Sequence, residues 1–173
     1  LTKTPYGKAA LDYLHNRGIT DDIIEDFSMG FAINSFNGLM NALGKRGYNG
    51  EMLMQAGLAV PGKNGGAYDK FRGRVMIPIK DPRGRIVGFT GRILGDGMPK
   101  YMNTGETEFF IKRYLLFGLD IAVNEIRKTR QAIVVEGHMD AISLHAAGVK
   151  NAVASMGTAF AAEQARLLKR MAD

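Results

Sequence analysis

The sequence of 173 residues contains neither cysteine nor tryptophan. The lack of cysteine excludes a disulfide-stabilised fold, a cysteine-ligated zinc site and a cysteine nucleophile within the chain, and it fits a reducing compartment. No apolar run reaches the roughly 18–20 residues of a membrane-spanning helix, and the first residues lack the charged-then-apolar pattern of a signal peptide. We therefore expect a globular cytoplasmic protein with no membrane partner.

Positive charge is concentrated in the middle of the chain. The sequence has 23 lysines and arginines against 17 aspartates and glutamates. Residues 63–114 hold eleven of these bases but five of the acids, whereas the stretches on either side are close to neutral. A concentrated positive field attracts polyanions, so nucleic acid or nucleotide phosphate is the favoured partner. A solvated strand surface that carries ordinary basic residues is the structural alternative.

The hydrophobic pattern changes from helical to strand-like near residue 68. Short helical patterns separated by glycine occupy the first 60 residues, and two β-rich runs follow at 71–79 and 85–94, joined by a hairpin turn at 81–84. Residues 95–113 are polar and predict a loop. From residue 131 the order is strand, helix, strand, helix, and the apolar first strand at 131–135 is typical of a buried parallel sheet.

This order of elements predicts an α/β fold built from two units. We expect an α+β N-terminal subdomain followed, after a connecting helix, by a truncated parallel β-α-β-α unit. The corresponding segments are residues 1–115, 116–130 and 131–173. A parallel sheet at the end of the chain matters for function because ligands bind beyond the carboxyl ends of its strands.

Two acidic residues lie at such a strand end. Glu136 follows the predicted strand directly, and Asp140 lies four residues later, near the start of the next helix. Both carboxylates can point into one crevice, where they suit a hard divalent cation such as Mg²⁺. The structural alternative is that Asp140 complements a helix N-terminus and Glu136 is a solvated strand end. His138, between them, is expected to be a surface residue in a tight turn, and we assign it no role.

Seven motifs in sequence order resemble the catalytic core of bacterial DnaG-type DNA primases. They are FRGRVMIPI (71–79), GRIVGFTGR (84–92), PKYMNTGET (99–107), FIK (110–112), LFG (116–118), VVEGHMD (134–140) and AVASMGT (152–158). The similarity covers nearly the whole chain. Several motifs in matching order are far more specific than any one of them, although His138 stands where that family usually has tyrosine.

The resemblance implies an enzyme that joins ribonucleoside triphosphates into short RNA primers on a single-stranded DNA template. The β-α-β-α unit would be the start of a TOPRIM fold. Glu136 would bind metal or act as general acid/base, with Asp140 in support and Mg²⁺ or Mn²⁺ as the cofactor. The residues implied to bind nucleic acid and nucleotides are Arg17, Arg72, Arg74, Arg92, Lys100, Tyr101, Asn103 and Lys112.

The same resemblance implies that the chain is a fragment. The family's remaining Asp-x-Asp metal ligands would follow Asp173, and a zinc-binding module and a domain that binds the replicative helicase would lie outside the chain. Residues 1–173 on their own would then have an incomplete metal site. They would still bind the DNA template, RNA primer or nucleotides. The alternatives are another TOPRIM enzyme, such as a phage primase-helicase or a nuclease, and a nucleic-acid-binding module without turnover.

Overall fold

Helices and short strands alternate along the chain in the structure, a computed structural model that describes residues 1, 4–63, 65–156 and 159–172. The α-helices in these ranges are α1 (Lys8–His15), α2 (Asp21–Asp26), α3 (Gly38–Gly44), α4 (Gly50–Gln55), α5 (Leu119–Thr129), α6 (His138–Ala146) and α7 (Ala162–Leu168). The strands are β1 (Gly30–Ala32), β2 (Ala59–Pro61), β3 (Ala67–Asp69), β4 (Arg74–Lys80), β5 (Ile86–Ile93), β6 (Tyr101–Asn103), β7 (Ile133–Val135) and β8 (Ala152–Ala154). Short 3₁₀ turns cover Pro5–Gly7 and Lys112–Tyr114. No helix within the described ranges is long and apolar enough to cross a membrane.

An antiparallel sheet in the order β1-β4-β5-β6 forms the floor of the N-terminal unit. The predicted β4–β5 hairpin is confirmed. The carboxylate of Asp81 shapes its turn by accepting hydrogen bonds from the backbone N–H groups of Arg83 (2.9 Å) and Arg85 (3.0 Å). The prediction of a loop throughout 95–113 was wrong, because β6 pairs with β5 at the sheet edge. Strands β2 and β3 form a separate antiparallel hairpin.

Strands β7 and β8 are parallel, with α6 connecting them, as predicted. The expectation that the first of these strands is buried was wrong. Ile133 and Val134 of β7 are 41% and 39% exposed, whereas all three residues of β8 are buried. Strand β8 has helices α5 and α6 packed against it, whereas β7 contacts α6 and is paired with β8 alone in the described part of the chain. An apolar run therefore indicated the strand correctly but not its position at the edge.

One hydrophobic core is shared by the two units. It includes Leu14 from α1, Ile77 from β4 and Ile142 from α6, each at most 1% exposed. Phe117 lies between the units, with its ring stacked on Phe27 at 5.6 Å between centroids. The backbone of Phe117 also bridges to β8. Because this packing is continuous across the predicted boundary at 115, the sheet of the first unit and the strand ends of the second are held in a fixed relation.

Candidate functional site

The two carboxylates predicted from the sequence lie together at the carboxyl end of β7. Glu136 follows the last residue of that strand, Asp140 lies in the first turn of α6, and both are exposed. Gly137, between them, allows the close approach: a methyl group there would lie 2.7 Å from Oδ2 of Asp140. The chain therefore folds the Asp140 carboxylate back towards the strand end, where a ligand of an α/β sheet is expected.

This donor set fits a small hard cation in part. Two carboxylates supply the oxygen ligands that Mg²⁺ prefers, and Mg²⁺ commonly completes its coordination with substrate phosphates and water. No group of three histidine, aspartate or glutamate side chains is arranged to hold a metal ion within the ranges that the structure describes. Glu136 and Asp140 are thus the residues that would hold a divalent cation here, together with oxygens from a ligand.

His138 does not lie on the surface as expected. It is 7% exposed, and its ring meets Phe117 edge-on at 4.9 Å between centroids. Burial, with a smaller contribution from the positive charge of Lys112, lowers the pKa of His138 to about 4. The imidazole is therefore neutral at pH 7, and it lies buried against Phe117 at the start of α6. A turn was predicted at His138 because glycine precedes it. In the structure His138 is the first residue of α6, and its ring points into the protein.

An alternating stack of arginine and tyrosine side chains lies on the N-terminal unit. We call the four residues Tyr13, Arg17, Arg92 and Tyr101 the Arg–Tyr stack. The guanidinium carbon of Arg92 lies 4.5 Å from the ring centroid of Tyr13 and 5.6 Å from that of Tyr101. The guanidinium carbon of Arg17 lies 5.7 Å from the Tyr13 ring, and Arg92 Nε donates to the Tyr101 hydroxyl at 3.3 Å. These are cation–π distances.

One member of the carboxylate pair, Asp140, lies within electrostatic reach of the Arg–Tyr stack. The pKa of the Tyr101 hydroxyl is raised, mainly by burial, and the neighbouring Tyr13 and the negative charge of Asp140 act in the same direction. The positive charges of Arg92 and Arg17 oppose that rise. The pKa of Tyr101 is therefore affected both by guanidinium groups of the first unit and by a carboxylate of the second. The fold thus brings together four residues that were predicted separately from the sequence, namely Arg17, Arg92, Tyr101 and Asp140.

Arg74 has a different environment from the phosphate-lining position expected for it. It is 3% exposed, and its Nη1 donates to the backbone carbonyls of Gly91 (3.2 Å), Pro99 (2.9 Å) and Lys100 (3.5 Å). Burial and the nearby charge of Arg72 both lower its pKa. The guanidinium is occupied inside the protein, so we interpret Arg74 as a residue that positions the segment carrying Lys100.

Replacing Arg74 by methionine is expected to lower the free energy of unfolding by about 1–3 kcal/mol, because buried carbonyl groups lose their donor. Urea unfolding followed by circular dichroism measures this change. Arg46→Met is the matched control, since Arg46 is an exposed arginine just after α3. Equal stability of the Arg74→Met variant and the wild type would contradict the positioning role.

Arg72 is half-buried and is held by aromatic rings. Its guanidinium carbon lies 4.6 Å from the ring centroid of Phe36 and 5.0 Å from that of Tyr68. One of its nitrogens, Nη1, also donates to the backbone carbonyl of Asp69. Arg72 therefore lies in a second cluster of cation and aromatic side chains, where Phe36 is 61% exposed.

The other predicted binding residues lie along β6 and beyond it. Lys100 is exposed immediately before β6, and Asn103 is the half-buried last residue of that strand. Lys112 is also half-buried, and its positive charge adds to the effect of burial in lowering the pKa of His138. Burial lowers the pKa of Lys70, and the charge of Lys112 adds to that effect. Lys112 is thus a basic residue within electrostatic reach of His138 and Lys70.

Tyr13 was missed by the sequence analysis. It lies on α1, four residues before Arg17, and the helical spacing of an aromatic residue and an arginine was the available signal. That signal is weak, because such pairs are common on helix surfaces. Its second partner, Arg92, is 79 positions away in the sequence, on β5, and only the fold brings it to the ring.

Comparison with known proteins identifies the class that this fold and site define. Residues 1–123 match the family described as the N-terminal domain of the DNA primase catalytic core, and residues 130–173 match the Toprim domain. The chain belongs to the DNA primase catalytic core family.

Individual relatives agree with this assignment. A DNA primase of Deinococcus radiodurans is 48% identical over 163 residues, which are 94% of this chain and 28% of that protein. A Staphylococcus aureus DNA primase is 44% identical over 172 residues, which are 99% of this chain and 28% of that protein. The chain thus spans about a quarter of the length of these curated relatives.

Solved structures extend the likeness to three dimensions. A DnaG primase catalytic domain bound to single-stranded DNA superposes with a TM-score of 0.92 at 39% identity, covering 98% of this chain and 55% of that one. A DNA primase domain from Pseudomonas aeruginosa superposes with a TM-score of 0.89 at 45% identity, covering 98% of this chain and 54% of that one. The expected α/β fold with a parallel Toprim-type unit is thereby confirmed.

Proposed function

We propose that this chain is the part of a bacterial DNA primase that binds single-stranded template DNA and ribonucleotides beside a metal-binding carboxylate pair. The relatives named DNA primase, and the superposed catalytic domain bound to single-stranded DNA, support this proposal. The RNA primer and the incoming ribonucleoside triphosphates are proposed as its further ligands, and the cytoplasm as its compartment.

The observation that carries the proposal is that the cationic groups of the Arg–Tyr stack and the carboxylate of Asp140 act on the same side chain, Tyr101. Polymerisation of nucleotides needs cationic groups that bind phosphate backbone and, next to them, oxygen ligands for a divalent cation. Arg92 and Asp140 both affect the pKa of Tyr101, so a cationic group and a carboxylate lie within electrostatic reach of one side chain. A nucleic-acid-binding module alone needs no paired carboxylates at this place.

Each group has a distinct proposed role. Arg17, Arg92 and Lys100 bind template phosphates, and the partly exposed ring of Tyr101 offers a surface on which a base stacks. Lys112 binds phosphate oxygens of the nucleotide close to the carboxylates. Asn103 and Arg72 extend the binding surface along the sheet.

Glu136 and Asp140 are the proposed holders of Mg²⁺ or Mn²⁺. When bound, the cation would supply charge compensation for the transferring phosphate and orientation of the attacking hydroxyl. Glu136, exposed at the strand end, is also placed to accept the proton that the attacking 3′-hydroxyl loses. Asp140 adds a second negative charge at the same strand end, where Gly137 has no side chain and so leaves room for the carboxylate.

Removal of the Lys100 side chain tests the phosphate-binding surface. We expect Lys100→Ala in the full-length protein to weaken single-stranded DNA binding and to make the salt dependence shallower. The slope of log K against log salt should fall by about 0.7, the value for one phosphate contact on a single strand. Fluorescence anisotropy with a labelled oligonucleotide at several salt concentrations gives both quantities.

Lys150→Ala is the matched control. Lys150 is an exposed lysine just before β8, at the end of the parallel strands opposite Glu136. Its removal changes the net charge equally and should leave the slope unchanged. An unchanged slope for Lys100→Ala would show that Lys100 does not contact phosphate. An equal loss of DNA affinity in both variants would show that the effect comes from the change in net charge alone.

A further inference from the structure

We propose that Tyr13 is a positioning residue of the single-stranded DNA surface, whose ring holds Arg17 and Arg92 together so that both bind phosphate. This inference rests on the proposed function and adds a residue to it. Tyr13 touches both arginines, at 5.7 Å and 4.5 Å from its ring centroid, and it belongs to no motif that indicated nucleic-acid binding.

The two guanidinium groups need a reason to stay next to each other. Both are permanently charged, and like charges on an exposed surface repel. Arg17 is exposed beyond the end of α1, and Arg92 is half-buried on β5, so they come from different elements. An aromatic ring attracts a cation through its quadrupole, and one ring shared by two cations offsets part of their repulsion. Tyr13 supplies that ring.

The ring of Tyr13 is itself fixed by the core. It packs against the shared hydrophobic core, and its neighbour Leu14 is completely buried. The Tyr13 hydroxyl is buried and has no hydrogen-bond partner within the described segments of the chain. This hydroxyl makes no hydrogen bond that could position an arginine, so the ring carries the positioning effect. Phenylalanine should therefore replace Tyr13 without loss, whereas an aliphatic side chain should not.

Tyr13 is connected to the carboxylate pair through Arg92 and Tyr101. Arg92 donates from Nε to the Tyr101 hydroxyl, and its guanidinium carbon lies 5.6 Å from the Tyr101 ring centroid. Tyr101 is the residue on which the charge of Asp140 acts. Loss of the Tyr13 ring would release Arg92 and with it the orientation of Tyr101, so the template surface next to the carboxylates would become less ordered.

The test compares Tyr13→Phe with Tyr13→Leu in the full-length protein. The affinity for a labelled single-stranded oligonucleotide should be unchanged in Tyr13→Phe. In Tyr13→Leu it should fall about threefold to tenfold, the range that the loss of one or two cation–π contacts gives. Thermal unfolding of both variants measures stability separately, and Tyr13→Met replaces Tyr13→Leu if the leucine variant does not fold.

A mutant cycle separates positioning from a general effect on the fold. Tyr13→Leu is also made in a protein that carries Arg17→Gln and Arg92→Gln. If Tyr13 acts through these arginines, its replacement should have no further effect on affinity there. An equal loss in both backgrounds would overturn the inference, as would an unchanged affinity of Tyr13→Leu or an equal loss in Tyr13→Phe.

Failure of this inference is distinguishable from failure of the proposed function. If Lys100→Ala weakens binding with a shallower salt slope but Tyr13→Leu binds normally, the DNA surface stands and Tyr13 has no positioning role. If the wild-type protein does not bind single-stranded DNA at all, the proposed function fails, and the role of Tyr13 fails with it.

Discussion

Glu136→Gln is expected to reduce template-directed primer synthesis by about two to four orders of magnitude, the range for removal of a general acid or base. Glutamine keeps the size of the side chain but loses the charge that holds a divalent cation and the capacity to take a proton at pH 7. Glu136 is exposed at the end of β7, so the replacement leaves the core unchanged. Incorporation of labelled ribonucleotides on a single-stranded template by the full-length protein measures the loss.

Two further measurements decide what the loss means. Single-stranded DNA affinity should be the same in Glu136→Gln and the wild type, because we propose that basic residues bind the template phosphates. Glu51→Gln, which neutralises an exposed glutamate on α4, should retain synthesis. Undiminished synthesis by Glu136→Gln would remove Glu136 from the chemistry. Absence of synthesis in the wild type, with normal binding, would favour a nucleic-acid-binding module.

Acidification from pH 6.5 to pH 4 is expected to destabilise the protein through its buried histidines. The pKa of His138 is lowered by burial from 6.5 to about 4 in the folded protein. Burial also lowers the pKa of His145, although its hydrogen bond to the carbonyl of Ala152 opposes that change. The unfolded chain therefore binds protons at a higher pH than the folded one. Stability is greatest above pH 6.5 and falls as the pH approaches 4.

The contribution of His138 over this range amounts to about 3 kcal/mol. Urea unfolding between pH 7 and pH 4.5, in the presence of EDTA so that no cation contributes, gives the free energy at each pH. His138→Phe keeps a ring against Phe117 and cannot be protonated. The difference between wild type and variant cancels the titration of carboxylates and should grow in favour of the variant as the pH falls. A constant difference would contradict the buried, neutral state of His138.

The sequence predicted those elements whose pattern is long enough to read. The β4–β5 hairpin has strands of seven and eight residues, the β7–α6–β8 unit has a repeated order of elements, and both are present. Strands β1 and β6 are three residues each, which is too short for an alternating pattern to appear. Strand β1 pairs with β4 and strand β6 with β5, and the periodicity of a sequence carries no information about such pairing.

Burial of single side chains was harder to predict than the elements that carry them. Arg74 and His138 were expected at the surface because arginine and a histidine after glycine are usually found there. Arg74 is enclosed because Gly91, on the paired strand, leaves room for its side chain. His138 is enclosed because Phe117 comes from a distant segment to meet it. In both cases the deciding residue is a partner in space.

Phe27, Phe117 and His138 form a row of three rings, with centroids 5.6 Å and 4.9 Å apart along it. This row runs from α2 of the first unit to the first residue of α6, directly beside Glu136. The rings that connect the first unit with the strand end carrying Glu136 therefore lie in the interior of the protein. A larger or smaller ring at any of these three positions is therefore expected to shift the carboxylates relative to the Arg–Tyr stack.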